Sequence, residues 1–216
     1  YPLGMMKANV RQTNDAGEFL IDDDGFYIET TEPELVGDPN PDWTAGITNS
    51  ISWNGLSLDF TWQYRHGGDM FSQDAATLVG RGVLNPGTVR EGLYVLDGVN
   101  KNTGQTNTTQ ITAINYGFDI FSFGPGELQI FDATTIRLSE VNLSYDFPRN
   151  LLERTPFGSL TATLTGINLF YDAVNVPDVV NFDSNVLSTG VGNAMGLSFI
   201  TGPSSRRVGL TLKATF

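Results

Sequence analysis

The stretch "DWTAGITNSISWNGLSLDFTWQYRH", residues 42–66, constrains this chain more than any other. In its first half Trp43, Ala45, Ile47, Ile51 and Trp53 alternate with Thr44, Thr48, Ser50 and Ser52. In its second half Leu56, Leu58, Phe60, Trp62 and Tyr64 alternate with Ser57, Asp59, Thr61, Gln63 and Arg65. Successive side chains of a strand point to opposite faces, so each half is a strand with one apolar and one polar face. Asn54-Gly55 between them suits the positive φ of a type I′ turn, which makes the pair a hairpin.

Three further segments carry the same alternation: 134–147 ("TTIRLSEVNLSYDF"), 159–171 ("SLTATLTGINLFY") and 205–216 ("SRRVGLTLKATF"). A weaker strand is expected at the opening, Leu3 to Thr13. The apolar phase slips once in two of them, at Ser139-Glu140 and at Thr165-Gly166. An inserted residue forming a β-bulge, or a bend or end of the strand, accounts equally well for each slip. Glycine and the β-branched and aromatic residues are abundant, a profile of strands and turns, and the fold class read from it is all-β.

Connection lengths set the architecture. Going backwards they run 172–204 (long), 148–158 (short), 67–133 (very long), 54–55 (minimal) and about 14–41 (long). Long and short alternate, so long loops leave one side of the sheet and short turns the other, as in an antiparallel outer-membrane barrel. Strands of 11 to 14 residues are long enough to cross a bilayer at a tilt. Trp43, Trp53, Trp62, Tyr64, Tyr145, Phe147 and Tyr171 fall near strand ends, where interfacial aromatic girdles sit. Asp59, Gln63, Arg65, Glu140, Asn142, Ser144 and Asp146 then face a wet lumen. A soluble β-sandwich with an aromatic core is the alternative; the 67-residue connection is long for it.

The chain has 216 residues, no cysteine, one histidine and a formal charge of −12. Disulfides and thiol chemistry are thereby excluded, and the acidic balance without a basic cluster speaks against nucleic acid. No run of about 18 apolar residues forms a transmembrane helix, and the opening "YPLGMMKANV" reads as internal to a longer chain.

Four stretches resemble a known family. "LVGDPNPDWTAGITNSISWNGLSLDFTWQYRHGGDMF" (35–71), "TTIRLSEVNLSYDFP" (134–148), "LTATLTGINLF" (160–170) and "GPSSRRVGLTLKATF" (202–216) are similar, in this order, to segments of SusC/RagA-type TonB-dependent transporters. The resemblance implies that residues 1–216 are the C-terminal part of a barrel of about 22 strands, with plug and N-terminal domains outside this chain. It also implies a bacterial outer-membrane location, long loops extracellular, the C-terminus on the periplasmic side and energy supplied by TonB. The expected partners are a SusD-like lipoprotein, TonB through the missing N-terminal part, the barrel-assembly machinery and the lipid bilayer. Leu210, Leu212, Ala214 and Phe216 are the expected assembly signal. One departure is that "YDAVNVPDVVNF" (171–182) lacks the Asp-Pro-Glu that often follows Asn-Leu-Phe in the family.

Chemistry offers little for an enzyme, and no catalytic residue, cofactor or metal is expected. "RHGGD" (65–69) resembles a hydrolase oxyanion loop, but no G-x-S-x-G accompanies it; a flexible strand exit suits it better. From Gln12 to Tyr64 there are eleven acids and no base, including Asp22-Asp23-Asp24-Gly25, whose spacing fails an EF-hand. A solvated loop with a turn, or a loose divalent-cation site, are both open. Within 67–133, Tyr94, Tyr116, Phe118, Phe121 and Phe123 either contact a substrate or lid, or pack the loop on itself.

The function expected is import of a glycan or peptide across the outer membrane. A SusC-like barrel serving as a structural component of a surface or secretion complex, or a secreted β-sandwich binding domain, are the alternatives.

Overall fold

In a computed structural model of the chain, residues 4–83, 91–176, 183, 196–199, 202 and 204–216 are described here. Leu3 of the expected opening strand, 84–90 in the long loop and 177–182 of the departing segment lie outside them. The chain divides into two compact units, one of 43–66, 134–174 and 203–216, the other of 1–42, 67–133 and 175–202.

The first unit is an antiparallel five-stranded sheet. Its strands in chain order are β1 (Trp43–Trp53), β2 (Leu56–His66), β3 (Thr135–Asp146), β4 (Ser159–Ala173) and β5 (Arg207–Thr215). The spatial order is β5-β4-β3-β2-β1. β1 and β2 form the expected hairpin, Trp53 pairing with Leu56 across Asn54 (φ 48°) and Gly55 (φ 83°). An 11-residue strand spans about 36 Å, or roughly 25 Å of bilayer at a 45° tilt.

Register lines the side chains up in rows across the whole sheet. Ile51, Leu58, Leu143, Leu164 and Leu210 form one row, and Trp53, Leu56, Tyr145, Ala162 and Leu212 the next. On the opposite face the corresponding row is Ser52, Ser57, Ser144, Thr163 and Thr211. Hydroxyls meet along it, Ser52 Oγ with Ser57 Oγ at 2.9 Å and Ser144 Oγ with Thr163 Oγ1 at 2.9 Å. Asp59, Gln63, Arg65, Glu140, Asn142 and Asp146 lie on this polar face as the alternation requires.

The expected slip in β3 is a bulge: Leu138 pairs with Trp62 but Glu140 with Thr61, so Ser139 is the extra residue, and its Oγ donates to Thr61 O at 3.0 Å. The slip in β4 lies further along than expected. Thr165 and Gly166 pair in register with Asn142 and Val141, and the irregularity falls between Ile167 and Phe170. Asn168 occupies it at φ 53°, a conformation an asparagine tolerates better than most residues.

The short 147–158 connection carries a helical turn, Arg149–Leu152, with Leu152 buried. The opening segment is not a sixth strand of this sheet: Met6–Ala8 pairs with Glu34–Gly37 in the other unit. Segment 14–41 is therefore not a loop between two long strands. A local alternation at Leu3–Thr13 carries no information on which strand it will pair with.

The second unit is built from short strands and helical turns. The 67–133 connection contributes an α-helix, α1 (Gln73–Gly80), capped by Ser72, whose Oγ accepts from Ala75 N at 3.1 Å. It also contributes a π-helical segment, Tyr116–Ser122. Ser122 Oγ donates to Ala76 O at 2.9 Å. Ile21, Leu96, Ile111 and Ile120 form the buried cluster that gathers these pieces.

Candidate functional site

In most folded domains the apolar side chains of a central strand are buried. Here the relation is inverted: in the interior strands β3 and β4, Leu143 and Leu164 are exposed while the neighbouring Ser144 and Thr163 are half-buried. Leu210 on β5 is 70% exposed. An apolar surface that is five strands wide and largely exposed calls for a non-aqueous partner.

Aromatic residues flank this face at both ends of the sheet. At the end of the short turns Tyr145 and Phe147 stack edge to face at 5.1 Å, and Phe157 meets Phe216 at 5.4 Å. At the other end Trp43 lies 5.1 Å from Tyr64, and Trp62 lies 5.9 Å from Phe170. Tyr171, expected in this girdle, instead sits on the polar face, where the Arg137 guanidinium lies 5.0 Å from its ring. The displaced register between Ile167 and Phe170 decides this, because it puts Phe170 opposite Leu138 and leaves Tyr171 opposite Arg137. Of the expected assembly signal, Leu210, Leu212 and Ala214 run along the exposed face of β5, and Phe216 is 90% exposed just beyond it.

In the second unit the loop aromatics divide. Tyr94 and Tyr116 stack at 4.7 Å, Phe121 meets Tyr116 edge-on at 5.5 Å, and all three pack on the buried cluster. Burial first, and then Tyr27 and Tyr94, push the Tyr116 hydroxyl above its ordinary pKa. Phe118 and Phe123 pair with each other at 4.7 Å, and Phe123 is 69% exposed.

Phe123 lines a cleft of about 390 Å³ together with Asp22, Phe26, Tyr27, Glu29, Asn115, Asp119, Ile120 and Pro125. Two segments about ninety residues apart in sequence make its walls. The first is the turn at 22–26, closed by Asp22 Oδ1 accepting from Asp24 N at 3.0 Å and Phe26 N at 2.8 Å. The second is the π-helical segment, where Phe123 N donates to Phe118 O at 3.1 Å and Asn115 Nδ2 to Asp119 Oδ2 at 2.8 Å. Beside the cleft, the Arg11 guanidinium lies 3.9 Å from the Phe19 ring centroid and pairs with Glu127 at 2.6 Å. Of these lining residues the sequence singles out Phe123 as a binding candidate and Asp22 and Glu29 as part of the acidic run. Nothing in the spacing of 22–29 shows that it will face 115–125.

The acidic run serves turns. Asp22 closes its own, while Asp23 accepts from Asn100 Nδ2 and Asn102 Nδ2, both at 2.9 Å. Those two bonds, Asn100 first, lower the Asp23 pKa. Among the described residues no group of three or more potential ligands is placed to hold a metal ion. In "RHGGD", Gly67 and Gly68 stand at φ 70° and 80°, and a Cβ on Gly67 would clash with Asp42 Oδ2, so this strand exit has no room for a side chain at Gly67.

An exposed apolar face backed by a hydroxyl-lined one, with aromatics at both rims, is the pattern of outer-membrane β-barrel strands. The sheet itself is all-β and antiparallel. No protein-family model matches the chain. It is 27% identical over 194 residues to TonB-dependent receptor P26 of Formosa agariphila, covering 88% of this chain and 18% of the relative. With TonB-dependent receptor P3 of the same organism it shares 24% identity over 208 residues, covering 91% and 19%. Among solved structures it matches the RagAB peptide importer in its closed-closed state, with a TM-score of 0.55 and 18% identity over 98% of this chain and 23% of that one. The open-open state gives 0.55 and 19%, over 98% and 22%. The chain thus spans about a fifth of the length of the relatives it matches. In sequence it resembles TonB-dependent receptors, and in fold the SusC/RagA type of transporter.

Proposed function

We propose that this chain supplies five wall strands and outer loops to a TonB-dependent outer-membrane importer of the SusC/RagA type. The observation that carries the reading is the row Ile51, Leu58, Leu143, Leu164, Leu210, an aliphatic band running across every strand of the sheet, half-buried at Leu58 and exposed at the other four. In a bilayer that band meets acyl chains, and the hydroxyl rows behind it line a wet interior. The complete barrel would have about 22 strands around a plug. Its long loops would be outside the cell and its short turns in the periplasm. A SusD-like lipoprotein would present a glycan or peptide to it.

In this setting Leu210, Leu212, Ala214 and Phe216 would be read by the assembly machinery. Replacing Phe216 by Ala should lower outer-membrane levels of the full-length protein more than replacing it by Tyr; equal levels would remove that role.

The import reading is tested with the full-length protein in its own membrane. It should fractionate with the outer membrane, co-purify with a lipoprotein, and support uptake of an oligosaccharide or peptide only while TonB is energised. A protein that stays folded and monomeric in plain buffer overturns the membrane reading. Outer-membrane residence with no uptake of any such solute favours a scaffold role.

A further inference from the structure

The cleft between the 22–29 and 115–125 segments has features that the wall strands do not explain. Its lining brings three carboxylates, those of Asp22, Glu29 and Asp119, together with Phe26, Tyr27, Ile120, Phe123 and Pro125, and among the described residues no base lines it. Two arginines stand near it without lining it. Arg11 pairs with Glu127, lies opposite Glu29 across an isolated bridge and holds its guanidinium 5.1 Å from the Tyr27 ring, while the Arg81 guanidinium lies over Phe118 at 5.4 Å. The three carboxylates are unequally free. Asp22 spends Oδ1 on its turn and Asp119 accepts one amide hydrogen from Asn115. Among the described residues the Glu29 side chain makes no hydrogen bond or ion pair, and its cross-strand neighbour is Arg11. Phe123, a large ring left exposed at a cleft rather than in the core, is the kind of surface a ligand covers. The wall that presents Phe123 and Asp119 follows a π-helical turn, a rare geometry that is concentrated at functional sites.

We propose that this cleft binds a cationic peptide side chain, a lysine ammonium or arginine guanidinium taken up by the Glu29 and Asp119 carboxylates with its alkyl stem against Phe123, Ile120 and Pro125. An anionic ligand would face three carboxylates with Arg11, already paired to Glu127, as the cation placed beside them among the described residues. A neutral sugar would find ring faces, carboxylate acceptors for its hydroxyls and the Tyr27 hydroxyl, but no charge pairing to offset the mutual repulsion of three carboxylates. A cation gains from both the carboxylates and the rings, and its stem suits the apolar lining. A cleft of this volume, at the lower end of the range for ligand pockets (~300–1,000 Å³), admits a side chain or a short segment rather than a folded partner. The proposal deepens the import reading and rests on it only for the biological purpose of the binding.

The test is titration calorimetry on the full-length protein in detergent. The probes are end-blocked Gly-Lys-Gly and Gly-Arg-Gly, with the acetyl-lysine form and Gly-Glu-Gly as controls. The Lys and Arg peptides should bind, with affinity falling as salt rises, and the two controls should bind at least about tenfold more weakly. Glu29→Gln and Asp119→Asn should each lower affinity about threefold or more, and Phe123→Ala likewise. Should Asp119→Asn disturb the fold through its bond to Asn115, the near-isosteric Glu29→Gln decides. Equal binding of the acetylated peptide, or parent-like affinity in all three variants, overturns the site. Uptake separates the two readings: cation binding without import sinks the importer alone, and import indifferent to peptide charge and to these variants sinks the cleft alone.

Discussion

Arg137 and Asn168 meet across two adjacent strands, the guanidinium Nη1 donating to the amide oxygen at 3.2 Å. Arg137 is only 6% exposed although it belongs to the polar face, and Asn168 holds φ 53° where β4 leaves regular register. The bond joins a buried cation to the residue that turns the strand. Asn168→Ala keeps neither the tolerance for positive φ nor the acceptor, and is expected to cost about 2 kcal/mol. Asn168→Gly restores the backbone and should recover part of that. Unfolding of the full-length protein in detergent, followed by its electrophoretic mobility shift, measures both; identical midpoints for Ala and the parent would show that the bulge is not held by this residue.

The face assignment predicts an asymmetry between neighbours. Leu143 lies in the outward aliphatic row and Ser144 in the hydroxyl row behind it. Leu143→Arg should destabilise the membrane-inserted protein by ~2–4 kcal/mol if its row lies near the bilayer midplane, whereas Ser144→Arg faces water and should cost much less. Folding yields into lipid vesicles compare the two directly. Equal yields would contradict a lipid-facing role for the row.

The hairpin turn is sensitive at its second residue. Gly55 holds φ 83°, and a Cβ there would come within 3.0 Å of Asp146 O, which itself accepts no slack because Asp146 N bonds Gly55 O at 2.8 Å. Gly55→Ala is expected to cost about 1–2 kcal/mol through the disallowed conformation alone. Asn54→Gly should be close to neutral. Thermal unfolding in detergent distinguishes them, and a silent Gly55→Ala would mean the turn relaxes to another type.

Asp23 gives the second unit a pH dependence of known sign. Its folded-state pKa lies below the ordinary carboxylate value because Asn100 and Asn102 donate to the ionised form. A carboxylate depressed in this way stabilises the fold at pH above its unfolded value of 3.8, and that contribution is lost as pH falls through the lower folded value. Amide exchange in the 100–105 turn should therefore accelerate, relative to its intrinsic rate, on acidification below about pH 4. Asp23→Asn should abolish the change, and an unchanged acid response in that variant would assign the effect to another group.

The wall was legible because its information is local. Alternation assigns a face to each side chain, Asn54-Gly55 sets one register, and a phase slip marks where β3 departs from regular pairing without choosing between a bulge and a bend. Where the signal was shared between neighbouring residues it blurred, so the irregularity in β4 was expected at Thr165-Gly166 but falls at Asn168, and Tyr171 took the opposite face. The opening segment shows the limit more sharply, since Met6–Ala8 has a strand's pattern and yet pairs with Glu34–Gly37 rather than with the long sheet.

What the sequence by itself determined is therefore the strand class, the two-faced surface and the likeness to TonB-dependent receptors. What only the tertiary structure decided is the sorting of the loop aromatics, with Tyr94, Tyr116 and Phe121 turned inward and Phe123 outward, and the meeting of Glu29 with Asp119 around one cleft. The physical reason is range: facing within a strand repeats every two residues and is written in composition, whereas contacts across about ninety residues depend on how a whole loop packs around Ile21 and Ile120.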